Sequence, residues 1–494
     1  MAPLTGHGPP QLIVVGAGAA GLYTAICAAR AGGRVALISA TPLAESSSYW
    51  AQGGLAAAIS AQDSPELHLA DTIRAGRNAV RESAARVLTS EAGATVEDLA
   101  RLGVSFDADR SGRLALGLEG GHSIRRIVHA GGASTGRRIV RQLSAVVAGQ
   151  PLIDVLEDQR VTALTVEDGR CTGVVLERGE TVAAAATALA TGGSAALWAR
   201  TTNPSGATGG GLLLAHDAGA ALADLEMMQF HPTALVAGNG AGGLLVTEAI
   251  RGEGARLLDA DGERFVDELA PRDEVARAIF RQLTLTGSES VDLDMRGVDP
   301  ALFPTVVTAL QHAGLDPQRE LIPVAPAAHY MMGGIATDLD ARSSLPGLLA
   351  IGECSCTGLH GANRLASNSL SECFVFGARA ARRALQEPPL GRAARSGATG
   401  PPGSTPAYPT PAFPTQASRE ALWRHAGIER NAAGLRLLLD DPHPLVRLVA
   451  EAALTRNESR GAHIRSDFPD LDPALDHRHV VLAPGREPSF ERWT

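Results

Sequence analysis

Near the start of the chain, four apolar residues, Leu12-Ile-Val-Val15, run into Gly16-Ala-Gly18-Ala-Ala-Gly21 and then into a segment, Leu22 to Arg30, with the pattern of a helix. No other stretch limits the fold so tightly. The apolar run reads as a strand of a parallel sheet, buried on both faces. Each glycine answers a different demand. Gly16 permits the tight turn, Gly18 lets backbone approach a pyrophosphate, and Gly21 lets the helix pack close to the strand. The helix N-terminus then turns unpaired N–H groups and a positive dipole end toward the phosphates. A second strand, Arg34-Val-Ala-Leu-Ile-Ser39, follows one helix later. This context predicts a dinucleotide-binding unit of Rossmann type. At the end of the second strand, Ser39 stands where an acid would hold a ribose hydroxyl and select NAD.

Bulk properties exclude several classes of function. With 494 residues the chain is too long for one core, so two to four domains are expected. A net charge of −9 argues against nucleic acid as a partner. No apolar run has membrane-spanning length and the N-terminus has no basic region before its apolar stretch, so the sequence predicts a cytoplasmic protein with no membrane partner. Five cysteines fit a reducing compartment. Cys354 and Cys356 form the only close pair and read as small core residues, so no metal site is predicted. The 44 basic residues are all arginine, which excludes Schiff-base chemistry and a phosphate-binding lysine.

Further along, Glu45-Ser-Ser-Ser-Tyr-Trp-Ala-Gln-Gly53-Gly54 can wrap a polar ligand or form a plain surface loop. Helices are expected over Glu66–Ala100, with a break at Gly93, and over Gly136–Val147. Between them, Leu118-Glu119-Gly-Gly-His122-Ser-Ile-Arg125-Arg126 concentrates charge and glycine in a turn. Strands are expected at Val161–Glu167, Gly173–Arg178 and Glu180–Ala190, the first two joined at Asp168-Gly169. Polar motifs crowd together from Glu226 to Asp338, which reads as an inserted domain facing a cleft. The strand Leu348–Ile351, Glu353 and the segment Gly358–Leu370 before a helix could hold a second part of a dinucleotide. Residues 388–415 read as a Pro/Gly/Ser/Thr-rich linker, followed by helices at Ser418–Leu439 and Leu445–Thr455. The expected division is 1–225 with 339–387, then 226–338, then 416–494 after the linker.

These motifs, in this order and over nearly the whole chain, resemble the L-aspartate oxidase family of the succinate dehydrogenase and fumarate reductase flavoprotein superfamily. The carriers are Gly16–Gly21, Ala51-Gln-Gly-Gly54, Glu119-Gly-Gly-His-Ser123, Gln229-Phe-His-Pro-Thr233, Thr247-Glu-Ala-Ile-Arg-Gly-Glu253, Pro271-Arg-Asp273, His329-Tyr-Met-Met332, residues 358–370 and the segment from Glu458 to Pro469. The resemblance implies an α/β fold: a Rossmann-like FAD-binding domain, an inserted α+β capping domain and a C-terminal helical domain. It implies oxidation of L-aspartate to iminoaspartate, the first step of de novo NAD synthesis. Oxygen or fumarate would reoxidise the flavin, and quinolinate synthase would take the product. FAD would be held by Gly16, Gly18, Ala19, Gly21, Ser39, Ser46, Ser47, Gln52, Gly53 and Gly54, and from the later segment by Glu353, Ser369 and Leu370. Ser47 stands where covalent relatives carry a histidine, so the FAD is expected to be non-covalent.

The residue types fit such a substrate. His231, His329 and Arg364 offer donors and positive charge to a dicarboxylate, and Arg364 can grip a carboxylate with two parallel bonds. Thr247 adds a hydroxyl, with Glu248 beside it. By resemblance Arg272 transfers a proton. A free guanidinium titrates above ~12, so that role needs a relay such as Glu248 or Glu253. Without the resemblance, Arg272 reads as an ion pair with Asp273 or Glu274. Glu119 suits a substrate ammonium and would repel succinate by about 1–4 kcal/mol. The alternative is a soluble fumarate reductase or succinate-oxidising flavoprotein. Two departures from the family pattern stand out: Gly210 in Thr208-Gly-Gly210-Gly211 replaces the usual Asp, and Leu118 replaces the Arg of some relatives.

Overall fold

Five parallel strands form the sheet on which the first domain is built, in the order Leu348–Ala350, Ala186–Leu189, Leu12–Val15, Val35–Ile38, Ile153–Leu156. The computed structural model describes residues 9–43, 46–236, 243–390 and 413–494. Leu12, Ile13 and Val14 are fully buried, as a strand covered on both faces requires. The first helix runs Ala19–Arg30 and so begins at Ala19 rather than Leu22, because Gly18 takes the extended N-cap position. It packs with the helix Asn368–Ala384 on one face of the sheet.

Several boundaries differ from the sequence reading, each for a local reason. Gly93 does not break its helix: Glu82–Arg101 is continuous. One interior glycine costs only ~1 kcal/mol, and Ala84, Leu88, Ala92, Val96 and Leu99 are buried along that helix. The break falls earlier, after Ala75, where Arg77 and Asn78 adopt positive φ. Glu180–Ala190 is two strands in two sheets. Thr181–Ala183 completes a small antiparallel sheet with Val161–Glu167 and Arg170–Leu176, and Ala186–Leu189 joins the parallel sheet. The hairpin turn at Asp168 and Gly169 has positive φ at both residues, as the dipeptide predicts. Ser418–Leu439 is also two helices, Gln416–His425 and Ala432–Leu438. Asn431 starts the second by accepting the Gly434 N–H, and the strand Glu429–Arg430 lies between them.

The segment between Glu226 and Asp338 builds a four-stranded antiparallel sheet ordered Met228–Leu235, Ile322–Met331, Val291–Asp294, Arg256–Leu258. It has its own apolar core, which includes Ile250, Val275, Ile279, Leu293 and Val324. The last two strands, Arg478–Leu482 and Ser489–Arg492, were not singled out from sequence. They return to pair beside Leu222–Ala223. Cys354 and Cys356 are buried free thiols. Most of the 388–415 linker, and Glu45, lie outside the described residues. No helix among the described residues is long and apolar enough to cross a membrane.

Candidate active site

A cavity of about 1320 Å³ begins at the C-terminal ends of the parallel strands and extends to the antiparallel sheet. That position, outside the carboxyl ends of an open α/β sheet, is where such folds bind ligands. The volume exceeds the ~300–1,000 Å³ of an ordinary small-molecule pocket.

The end at the parallel sheet is made chiefly of backbone and small polar side chains. Gly16, Gly18, Ala19, Ser39, Ser46, Ser47, Gln52, Gly53, Gly54, Glu353, Ser369 and Leu370 all line it. Gly21 does not. A Cβ there would fall 1.9 Å from the Gly16 carbonyl oxygen, so its task is to let helix and turn touch. Gly16 has φ +108°, and a Cβ would lie 2.3 Å from the Ala190 carbonyl oxygen. At Gly18 a Cβ would approach only Ser48 Oγ, at 3.2 Å, which leaves the turn open to a ligand. Ser48 Oγ also accepts the Ala19 N–H at 3.2 Å, a contact the sequence reading did not assign. Ser46 Oγ, Gln52 Oε1 and Thr191 Oγ1 are buried along the cavity without hydrogen-bond partners among the described residues. Buried polar atoms are ordinarily satisfied, so these three ask for a polar ligand. The Glu353 carboxyl accepts the Met331 N–H at 3.0 Å, and burial, only partly offset by that bond and by Arg364, raises it to about 7.

The other end is dense with charge. Glu119, His231, Thr247, Glu248, Arg272, His329 and Arg364 all face the same cavity. Arg272 is the first residue of the helix Arg272–Thr286, which aims it at the first turn of the short helix Glu248–Gly252. Its Nε donates to Glu248 Oε2 at 2.7 Å and its Nη1 to Gln229 Oε1 at 3.2 Å. Asp273 and Glu274 pair instead with Arg77, so they are not its partners. Glu253 is exposed, which leaves Glu248 as the acid in contact with Arg272. Burial raises the Glu248 carboxyl, but Arg272 and Arg251 outweigh it and hold the group ionised.

Glu119 is buried, and Ser367 Oγ donates to its Oε2 at 2.6 Å, while His129 Nε2 lies 3.8 Å from Oε1. Burial raises this carboxyl, and His129, Ser367 and Arg272 more than reverse that, to about 2. Arg364 is pulled down to about 10 by burial and by Arg272. Its Nε donates to Gln229 Oε1 and its Nη1 to Ser369 Oγ. Among the described residues no carboxylate lies within ion-pair distance of it. The rings of His231 and His329 meet edge to face with centroids 5.2 Å apart. Burial first, then the charge of Arg272, holds both far below the usual imidazole range, so both are neutral. His231 Nδ1 accepts the Thr233 N–H at 3.3 Å, which leaves its proton on Nε2.

Strand irregularities aim these histidines. Gln229 pairs with Tyr330 and Phe230 with Ala328, so His329 is an extra residue in a bulge. His231 pairs with Ala327 and Ala234 with Ala325, a second irregularity around Pro232 and Pro326. Bulges redirect side chains beside active sites, and proline cannot donate to the ladder. Ser367, in the left-handed region with φ +61°, also takes the Gly54 N–H on its Oγ at 3.1 Å. A non-glycine residue held there is strained, as at many functional sites. Gly120 donates its N–H to Glu248 Oε1 at 2.8 Å, and a Cβ on it would lie 2.1 Å from that oxygen. The loop carrying Glu119 is thereby tied to the inserted segment.

The structure places the charged set of the sequence reading on one cavity, with Gln229, Ser367 and His129 as supports that the sequence reading missed. Gln229 had a visible signal, its place beside His231 in one motif. Ser367 and His129 carry no such mark.

Residues 11–370 match the family described as FAD binding domain, and residues 436–488 match fumarate reductase flavoprotein C-term. An L-aspartate oxidase of Caulobacter vibrioides is 45% identical over 99% of this chain and 98% of its own. One of Agrobacterium fabrum is 44% identical over 95% and 93%. Among solved structures, an E. coli quinol fumarate reductase chain superposes with a TM-score of 0.84 at 27% identity, covering 98% of this chain and 97% of that one.

Proposed function

We infer the chemistry of this cavity from the premise that the chain belongs to the L-aspartate oxidase family, FAD-dependent enzymes with the fumarate reductase flavoprotein fold. The reaction is the oxidation of L-aspartate to iminoaspartate, with oxygen or fumarate as the electron acceptor. One observation carries the residue assignment: Arg364, with no carboxylate in ion-pair distance among the described residues, and a buried ionised carboxylate, Glu119, share one cavity. An amino dicarboxylate brings a carboxylate for Arg364 and an ammonium for Glu119. Succinate supplies nothing for Glu119.

The parallel-sheet end fits FAD. Its glycine turn leaves room for a pyrophosphate, and Ser46, Gln52 and Thr191 present unmet hydrogen bonds. FAD, when bound, would accept the two electrons lost by the substrate, as a hydride from its α-carbon. Ser47 has no imidazole for a covalent link, so the reading is non-covalent FAD. We treat 1–225 with 339–387 as the FAD-binding domain, 226–338 as the cap over the charged end, and 416–494 as the helical domain.

In this reading Arg364 grips a substrate carboxylate through its guanidinium, whose Nη2 has no hydrogen-bond partner among the described residues. Glu119 holds the ammonium and orients the α-carbon. His231, with its proton on Nε2, and His329 are neutral donors for the second carboxylate, and Thr247 adds a hydroxyl. Arg272 moves the proton. Its Nε–H already lies on Glu248 Oε2, so Glu248 is the acid through which that proton is exchanged. We place the enzyme in the cytoplasm at the first step of NAD synthesis, passing iminoaspartate to quinolinate synthase.

The test is anaerobic flavin reduction with L-aspartate and succinate in parallel. Bleaching by L-aspartate alone is expected. In Glu119→Gln, reduction by L-aspartate should slow about tenfold to hundredfold, the cost of one charge-assisted hydrogen bond, while fumarate reduction is spared. An equal loss of both would make Glu119 a structural residue.

A further inference from the structure

Against Arg364, on the wall of the same cavity, lies a buried group that this chemistry does not use. The guanidinium carbon of Arg364 is 4.4 Å from the centroid of the Tyr330 ring. Arg364 is 5% exposed, and its two hydrogen bonds go to neutral atoms of Gln229 and Ser369. A buried cation needs compensation. A carboxylate there would give it, but would also compete with the substrate for the same charge. A ring face attracts the cation through its quadrupole and leaves the net charge in place.

The ring is itself set from behind. The Tyr330 hydroxyl donates to Glu372 Oε2 at 3.2 Å and lies 3.3 Å from His360 Nε2. His360 Nε2 is 2.9 Å from the same carboxylate oxygen, and Thr357 Oγ1 donates to Glu372 Oε1 at 2.7 Å. Burial and the Glu372 charge push the phenol far above its usual range, so Tyr330 stays neutral. A carboxylate drawing on the phenol proton makes the ring face more electron-rich.

We propose that Tyr330, oriented by Glu372, is a positioning residue that keeps Arg364 ionised and aimed into the cavity through its ring face, so that the only carboxylates acting on it among the described residues, Glu353 and Glu119, do so from beyond ion-pair distance and the guanidinium stays open to a substrate carboxylate. The proposal rests on reading Arg364 as the carboxylate clamp.

Malonate, an inert dicarboxylate, is the probe, titrated calorimetrically into the FAD-loaded enzyme. Tyr330→Leu should weaken its binding about tenfold to thirtyfold, the fold-change of a desolvated cation–π contact. KM for L-aspartate should rise in parallel and kcat should fall less. The alkaline limit of malonate binding should also move to lower pH. Tyr330→Phe, which keeps the ring, and Glu372→Gln should each lose less than about threefold and leave that limit in place. Phenylalanines of increasing fluorination at position 330 keep the shape and drain the ring face, so affinity should fall stepwise with fluorine number. A flat fluorination series, or a Phe variant as weak as the Leu variant, overturns the proposal. Arg364→Leu separates the two levels. If it binds malonate normally, the clamp reading fails; if it does not while the fluorination series is flat, only the role of Tyr330 fails.

Discussion

The two ends of the cavity solve recognition in opposite ways. At the parallel-sheet end, backbone does most of the work: Gly16, Gly18 and Gly21 shape a turn, and uncharged Ser46, Gln52 and Thr191 wait with open hydrogen bonds. At the far end, Glu119, Glu248, Arg272, Arg364 and two neutral histidines are packed together out of water. The first arrangement stores little electrostatic energy, because backbone dipoles are fixed by the fold. The second is held in balance by specific partners, and removing any one leaves another charge stranded. Substitutions should therefore act locally on cofactor retention at one end, and on both chemistry and stability at the other.

The largest effect should come from Arg272→Leu. It removes the proposed proton-transfer group and leaves Glu248, among the described residues, with Arg251 at 3.7 Å as its one ion-pair partner beside the Gly120 N–H. Turnover should fall about 10²–10⁴-fold, with a lower melting temperature and unchanged FAD content. A loss below tenfold would return Arg272 to a purely structural ion pair.

A pair of glycine substitutions sharpens the contrast. In Gly16→Ala, the methyl group would lie 2.3 Å from the Ala190 oxygen in a left-handed conformation, so the purified protein should lose its yellow colour. In Gly120→Ala, the methyl group would displace Glu248, so FAD should stay while L-aspartate turnover falls about fivefold to hundredfold, the scale of one disrupted buried hydrogen bond of about 1–3 kcal/mol. If both variants behaved alike, the two ends would not be separable.

Acid should act on the charged end through its two histidines. His231 and His329 are held neutral when folded, whereas in the unfolded chain they protonate near pH 6.5. Below that pH the unfolded state binds more protons, so stability falls as pH drops from 6.5, by at most about 1.4 kcal/mol per pH unit for each histidine. Melting temperatures measured from pH 7 to pH 5 should decline, and less steeply in His329→Gln. Burial of His68, His122 and His463 adds to the same trend outside the cavity.

The smallest effect should be Gly210→Asp. A Cβ at Gly210 meets nothing within 4 Å, and the residue opens the helix Gly210–Asp217 on the cavity wall. An acid there should gain about 0.3–1 kcal/mol from the helix dipole, and FAD dissociation should change no more than a few-fold.

What could be read from sequence follows the same division. The strand, glycine turn and helix at 12–30 were legible because each demand is met by residues close together in the chain. Their only error was at the helix start, where Gly18 caps it. The charged residues were legible as a group, since short motifs carry them. Their pairing was not. Arg272 reads from sequence as a partner of Asp273 or Glu274, and the fold gives those acids to Arg77. Gly93 was misread because the glycine penalty is smaller than the burial along Glu82–Arg101.

By itself, then, the sequence determined that the chain builds a dinucleotide-binding α/β domain, has no lysine for chemistry and carries its charged residues, Glu119 among them, in short motifs. Those properties depend on local backbone geometry and on which side chains exist. Only the tertiary structure decided that Arg364 has no carboxylate within ion-pair distance among the described residues, that His231 and His329 are neutral, that bulges aim them, and that Ser367 and Gln229 brace the site. The charge state and direction of a buried group are set by desolvation and by neighbours far away in the chain, and those are defined only once the sheets have packed.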